Sequence, residues 1–522
     1  MRFLCGFILL MSLPLAALAP PRLTVVISVD QLSADLVSRL GQDLPGGLGR
    51  LLREGTHFVA AYHEHGYTET GPGHSVLLSG RHPAHTGITE NNWYDPATKK
   101  WVYCVGDPGV QTLGLVKAEG SSARWFQGTT LAGWLKEQAP GARVFTVSGK
   151  DRSAILMAGR KADAVYWFEG GAGFTTSTAY ARALPDWLVE HNRAFNAELE
   201  DRSLLWAPLE PAEAGSPVDY QLPGRTLTAG LPRLLKGVGM PMDEAFWSRF
   251  RPSPMFDEAI MGTAEALLRA EGLGAPGRTD LLVVGLSATD YIGHRFGNAG
   301  PEMRDQIKRL DRRLSQFLGR ILERDPGAWV VLAADHGCTD FCERLQQQGI
   351  AARRGSHKEW LARVEQQVAQ VLGVPGPFFH AKSGSMQLWL REEALKAKLR
   401  TRAEILAAAV MVLRGQPEIA GAWTQEEIAS KVLDPEAGPR QRGIPERVKL
   451  SVVPGRSGDI LLALAPFFTF DEPPDVVSHG SPWDYDRRIP LVFWGPWRPE
   501  RRTEPVRSVD LAPTLAKELG LR

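Results

Sequence analysis

A short apolar, β-branched run, Leu23–Val29 (LTVVISV), stops abruptly at Asp30. Four later runs share its character: 143–147 (RVFTV), 280–285 (DLLVVG), Trp329–Ala333 (WVVLA) and 490–494 (PLVFW). Their length and composition predict buried strands. Between them apolar positions recur at helical spacing over 130–138, 256–270, 302–323 and 510–519. Strands alternating with helices predict an α/β fold around a mostly parallel sheet. Two stretches break the alternation. Residues 170–255 are rich in Trp, Pro and charge, and residues 343–470 hold helical patterns at 358–372 and 402–413. With no flexible linker and no repeat, the expectation is one core carrying two insertions, about 170–255 and 343–470.

The first residues follow a different pattern. Arg2 precedes an apolar stretch over 3–18, and Ala17-Leu18-Ala19 has the small-x-small form of a cleavage site. Residues 1–19 are therefore expected to be an export signal. The mature chain, 20–522, would be periplasmic or secreted, and membrane-bound only if the signal stays uncleaved. No later window offers 18 uninterrupted apolar residues. A 43% hydrophobic, 23% charged composition excludes a disordered chain. Sixty Lys and Arg against 59 Asp and Glu exclude nucleic-acid binding by bulk charge. Beyond Cys5, the cysteines are Cys104, Cys338 and Cys342. The last two are close enough to pair or share a metal, though ordinary thiols or a local disulfide are the plainer reading.

Polar residues follow these runs. Asp30 follows the first, Asp290 and His294 the DLLVVG run, Asp335 and His336 the WVVLA run, and His479 sits in SHGSPWDYD ahead of PLVFW. Functional groups in open α/β sheets collect beyond the carboxyl ends of the strands. Singly, each has an ordinary explanation: Asp30 a helix cap, Asp290 and His294 a surface i,i+4 pair, Asp335-His336 a turn, His479 a loop. Together, three Asp and three His form the oxygen and nitrogen set that suits zinc better than calcium or magnesium. Two neighbouring divalent ions would need three or four such groups each.

The segment 67–79, YTETGPGHSVLLS, carries a nucleophile candidate. Gly71-Pro72-Gly73 reads as a tight turn and His74 as a helix start, which places Thr70 just ahead of a helix N-terminus. Such a hydroxyl is either a simple N-cap or a nucleophile facing a phosphoryl group held by unpaired amides. A metal that lowers the pKa of a bound hydroxyl favours the second.

Taken with VDQL, TETGPGH, ENNWYD, SGKDRSAI, the DWL segment beginning at Asp186, SATDYIGH, RLDRRL, AADHG, HGSPWDYD and VDLAPTLA, the chain resembles the alkaline phosphatase superfamily. It is most similar to the phosphate-irrepressible, zinc-dependent branch with a threonine nucleophile, related to type I phosphodiesterases and nucleotide pyrophosphatases. The resemblance implies an α/β/α sandwich and two Zn2+. It implies that Asp30, Asp335 and His336 ligate the zinc that also holds Thr70, and that Asp290, His294 and His479 ligate the other. Asn91 would donate to a phosphoryl oxygen, and Lys150 and Arg152 would be the basic pair of the monoesterase branch. Asp311 matches a recurrent residue whose role reads as structural. The chain departs from the family at Thr89-Glu90, where a small residue is common, and at Cys338.

A monoester dianion gains more from two cations than a diester monoanion does. The expected function is thus phosphate-monoester hydrolysis through a phosphothreonine, by a monomer acting on a small phosphate ester. Lys150 and Arg152, on a loop past RVFTV, would carry that preference; alone, they would read as a solvated basic loop. The alternatives are a phosphodiesterase or nucleotide pyrophosphatase, and an inactive zinc-binding relative. A sulfatase lacks support, because TGPGH is not the Cys/Ser-x-Pro-x-Arg motif.

Overall fold

A computed structural model describes residues 20–41, 43–115, 119–211, 216–396, 399–470 and 472–522. The segment expected to be an export signal lies outside the described residues. No helix among the described residues is long and apolar enough to cross a membrane.

Ten strands form the central sheet: β1 (Leu23–Val29), β2 (Thr56–Tyr62), β3 (Val144–Ser148), β4 (Ala164–Phe168), β5 (Phe174–Thr175), β6 (Asp280–Leu286), β7 (Trp329–Ala333), β8 (Arg488–Trp494), β9 (Glu500–Arg502) and β10 (Val506–Arg507). Their order is β9-β2-β8-β7-β1-β6-β3-β4-β5, with β10 also beside β2. β8 and β5 run against their neighbours; the other pairings are parallel. Every residue of β1, β3, β6 and β7 is buried. Their near-continuous apolar sequences fit that position, because a strand covered on both faces has no polar side to present.

The register brings the strand ends level. Val29 lies opposite Leu286, and Ser28 opposite Ala333. Adjacent strands sit roughly 4.8 Å apart, so residues just past β7, β1, β6 and β3 form a compact row. Asp335, Asp30, Asp290 and Lys150 stand in that row.

Segment 170–255 contributes the helix Asp186–Glu200 and two antiparallel strand pairs, Leu204–Trp206 with Arg233–Lys236 and, between them in sequence, the hairpin Val218–Leu222 with Arg225–Ala229. Leu188, Trp206, Phe246 and Phe250 join the main apolar core. Farther along, Phe379–His380, Gln387–Leu390, Ile419–Thr424 and Ile460–Leu464 form a four-stranded sheet. The helices His357–Leu372 and Arg402–Arg414 pack with it around a separate core that includes Val364, Leu388, Ile405 and Leu461. Asp311 plays a structural part. Its carboxylate accepts from the amides of Gly46 (2.6 Å) and Gly49 (2.9 Å), at the start of the helix Gly47–Glu54.

Candidate active site

Three helices rise from the row of strand ends: α1 (Thr70–Leu77), α2 (Asp151–Ala158) and α3 (Ala288–Phe296). Their starts correct two expectations. Helix α1 begins at Thr70 rather than His74, and Glu69 is its N-cap. Gly71-Pro72-Gly73 is therefore helical, with Pro72 in the first turn, where a missing N–H leaves no hydrogen bond unmade. Lys150 and Arg152 are not on a loop. Lys150 is the N-cap of α2 and 3% exposed, and Arg152 lies in its first turn.

Helix α1 sits tightly on the strand ends. A Cβ on Gly73 would stand 2.1 Å from the carbonyl oxygen of Asp335, so only glycine allows this approach. His74, one turn beyond Thr70, places Nε2 3.0 Å from Ser28 Oγ and Nδ1 3.0 Å from Asp335 Oδ2. The other oxygen of Asp335 accepts from the amides of Gln31 and His336, both at 3.1 Å. Gln31 takes φ 65°, a strained value for a residue with a side chain, and this turns its amide onto Asp335.

The six candidate ligands converge. Asp290 reaches His294 Nε2 at 3.3 Å and His479 Nε2 at 3.4 Å, both from Oδ1. His336 Nε2 lies 3.4 Å from Asp30 Oδ1 and 3.3 Å from Asp335 Oδ2. The groups Asp290–His294–His479, Asp30–Asp290–His336 and Asp30–His74–Asp335 each bring their ligand atoms within 4.8 Å of one another.

Nitrogen chemistry shows that this set fits divalent metals. Nδ1 of His294, His479 and His336 faces the carbonyls of Val477 (2.8 Å), Thr68 (2.9 Å) and Gly337 (3.0 Å). A carbonyl only accepts, so in the neutral ring each Nδ1 carries the proton and each Nε2 turns its lone pair to the cluster, as a metal would require. His336 Nε2 and Asp30 Oδ1 are buried without a hydrogen-bond partner. His74 has protein partners on both ring nitrogens, which suits it to orienting Asp335.

The electrostatics are uneven. Burial, with the charges of Asp290 and Asp335, pushes Asp30 well above the usual carboxylate range. Burial also pushes on Asp290, but Lys150 and His294 hold it well below. Asp335 is likewise held low against its burial by His336 and His74. Burial opposes the charge on His294, yet Asp290 outweighs it and raises the imidazole to about 9. His336 and His479 are pushed down, chiefly by burial.

Thr70 stands at the edge of this cluster. Arg152 Nη2 is 3.5 Å from its Oγ1, while Nη1 is 3.2 Å from the Tyr103 hydroxyl. That hydroxyl donates to Asp151 Oδ1 at 2.5 Å, which braces the guanidinium. Asn91 Oδ1 accepts from the Gly71 amide at 2.7 Å, which holds Asn91 against the first turn of α1. Lys150 Nζ contacts Asp30 Oδ2 (2.6 Å) and Asp290 Oδ2 (2.5 Å) rather than Thr70. A cleft of about 180 Å3 opens above, lined by Thr70, Asn91, Arg152, His294 and His479. All the predicted site residues thus meet in one place. The sequence alone does not single out His74, Tyr103 and Glu69. With α1 starting at Thr70, the Thr-x3-His spacing points to His74; Tyr103 and Glu69 have no comparable signal. Cys104, Cys338 and Cys342 are buried and free, so among the described residues there is no Cys338–Cys342 disulfide, and neither thiol belongs to a candidate ligand group.

Residues 24–481 match the family model of type I phosphodiesterase / nucleotide pyrophosphatase. The chain belongs to this family. It is 35% identical to alkaline phosphatase PhoK of Sphingomonas sp over 97% of its length and 89% of that protein's. It is 32% identical to alkaline phosphatase PhoD of Zymomonas mobilis, covering 96% and 85%. The crystal structure of alkaline phosphatase PafA superposes with a TM-score of 0.84 at 26% identity, covering 97% of each chain. A structure of a PafA variant, with the same TM-score, identity and coverage, carries four replacements: a Thr, an Asn, a Lys and an Arg. These are spaced as Thr70 is from Asn91 and Lys150 from Arg152.

Proposed function

We propose that the chain is an alkaline phosphatase that hydrolyses phosphate monoesters through a phosphothreonine at Thr70. The observation that carries this is the position of Thr70, whose Oγ1 lies 3.5 Å from the Arg152 guanidinium and which lines one cleft with His294 and His479 of the three-Asp, three-His cluster. Near full-length similarity to PhoK, PhoD and PafA supports the reaction class.

Asp30, Asp335 and His336 would hold one divalent cation and Asp290, His294 and His479 a second; the nitrogen and carboxylate set favours zinc. Cations bound there supply the positive charge that lowers the hydroxyl pKa of Thr70 and offsets the charge of the phosphoryl group. Thr70 Oγ, its proton passed to solvent, attacks phosphorus in line, the P–O bond to the leaving group breaks, and the departing oxygen takes a proton from solvent. Water then attacks the phosphothreonine, releasing phosphate and restoring the hydroxyl. The Arg152 fork and the Asn91 amide hold non-bridging oxygens as charge shifts onto them. Lys150, which contacts Asp30 and Asp290 here, would turn its charge toward the phosphoryl group once cations take those oxygens. A monoester has three non-bridging oxygens and nearly two charges for these donors; a diester has two oxygens and one charge. Export from the cytoplasm is proposed from the N-terminal sequence alone.

The test is kcat/KM on a matched aryl monoester and aryl diester, with metal content measured on the same sample. Faster monoester turnover with two metals per chain is expected. Faster diester turnover would favour the phosphodiesterase reading, and full activity in metal-free protein would overturn the metal assignment.

A further inference from the structure

The cleft above Thr70 has a second wall that the reaction does not use. It comes from the loop 382–385, between the strands Phe379–His380 and Gln387–Leu390 of the outer sheet. Two residues at the family departure hold this loop in place. Glu90 accepts from Ser385 Oγ (2.6 Å) and from the Met386 amide (2.8 Å). Thr89 Oγ1 accepts from Gln387 Nε2 at 2.9 Å. Trp101 packs edge-on against Trp389 at 5.3 Å, and the Lys382 ammonium lies over the Trp101 ring at 5.8 Å. The loop is therefore fixed at its base and carries an exposed cation, Lys382, at the entry to its turn.

Of the two carboxylates that line the cleft, Glu90 is committed to the loop, and Glu69, raised to about 7 chiefly by burial, lies within electrostatic reach of both Arg152 and Lys382. Both oxygens of Glu90 serve the loop, and Glu69 accepts from the Asn91 amide. Lys382 is in no ion pair within 4 Å among the described residues. Among the described residues no Phe, Tyr or Trp lines the cleft, and its two imidazoles, His294 and His479, belong to the candidate metal cluster, so no ring is free to stack on a nucleobase. Its volume is below the roughly 300–1,000 Å3 of pockets that engulf drug-sized ligands. A small polar leaving group fits, and beside Lys382 and Asn92 a second negative charge on it would be stabilised.

We propose that Lys382 forms a leaving-group subsite that favours small monoesters bearing a second anionic group, such as a carboxylate, on the alcohol. This rests on the monoesterase reading. The contact is made in the bound substrate as well as during transfer, so it acts on KM more than on kcat.

The experiment compares 3-phosphoglycerate with glycerol 3-phosphate, which differ chiefly in that carboxylate, in the metal-loaded full chain. The expected kcat/KM ratio is about five in favour of 3-phosphoglycerate at low salt, the scale of one exposed charge pair, and it falls as salt screens the pair. Lys382→Met should bring the ratio near one through a higher KM for 3-phosphoglycerate. Lys382→Arg should keep the preference and Lys382→Glu should reverse it. An unchanged ratio in Lys382→Met, or no preference in the parent, overturns the subsite while leaving monoester hydrolysis standing. No turnover of either substrate, or of an aryl monoester, would overturn the monoesterase reading and the subsite with it.

Discussion

The Lys150 ammonium lies 2.5 Å from Asp290 Oδ2, in a position where both groups are almost fully removed from water. It also reaches Asp30, so one buried cation spans two carboxylates of the candidate metal cluster. Removing one partner of a buried pair leaves the other uncompensated, at a cost of about 3–5 kcal/mol. Lys150→Met should therefore destabilise chelator-treated protein by about that amount. Divalent cations on Asp30 and Asp290 would replace the lost charge, so added zinc should raise the Tm of the variant more than that of the parent. Equal zinc-induced shifts in the two proteins would show that Lys150 and the cations do not share these carboxylates.

Thr70→Ala should abolish most monoester turnover and leave the fold intact, since Thr70 is the first residue of its helix and Glu69 is the cap. Thr70→Ser keeps the hydroxyl and should keep part of the rate. Acid quenching during turnover should trap phosphate on Thr70, detectable by peptide mapping. Phosphate on another residue, or an alanine variant as fast as the parent, would remove Thr70 from the mechanism.

Arg152 should discriminate between ester classes. A charge-assisted contact that strengthens in the transition state is worth roughly 2–4 kcal/mol, about 30- to 1,000-fold in rate. Arg152→Ala should slow an aryl monoester by that range and a matched diester much less. Equal losses would show that the guanidinium positions Thr70 without reading phosphoryl charge.

Much of this site is legible in the sequence because the chemistry sits at the ends of strongly patterned strands. The runs at Leu23–Val29 and Trp329–Ala333 have the same bounds in the structure, and 280–285 becomes Asp280–Leu286. β2 (THFVAAY) escapes the same reading, because His57 and two alanines dilute its β-branched character. β8 is visible as an apolar run, but its antiparallel direction is not, since burial on both faces erases any pattern that direction could leave. Helix α1 defeats propensity outright. Two glycines and a proline in its first turn predict a turn, and burial against Asp335 decides otherwise. The Lys150 contacts with Asp30 and Asp290 join residues more than a hundred positions apart, which no local pattern reports.

Gly73 offers a purely steric test. Gly73→Ala places a methyl group 2.1 Å from the Asp335 carbonyl oxygen, which is backbone and cannot rotate away. The helix must lift, carrying Thr70 and His74 with it. A displacement near 1 Å can cost about 100-fold in rate, so kcat should fall at least that far while Thr70 itself is unchanged. A variant with parental kcat and Tm would mean that α1 is not seated by this contact.

The last expectation concerns acid. Glu64, 1% exposed, pairs with Arg442 at 2.7 Å and His82 at 3.3 Å, tying the end of β2 to the outer segment. Burial pushes its carboxyl up, but His82 and Arg442 together outweigh that and hold it at about 2. In the unfolded chain a glutamate titrates near 4.3. The folded value is the lower one, so the pair's stabilisation is fully present above about pH 4.3 and is lost as pH falls toward 2. At about 1.4 kcal/mol per unit, the difference amounts to roughly 3 kcal/mol. Glu64→Gln removes the titrating group and leaves Arg442 without its carboxylate. The variant should be less stable than the parent by about 3 kcal/mol at neutral pH, and the gap should close between pH 4.3 and 2. Urea denaturation of both proteins across that range, in chelator so that cation loss is common to both, measures it. A gap that stays constant with pH would show that Glu64 is not held ionised by these two partners.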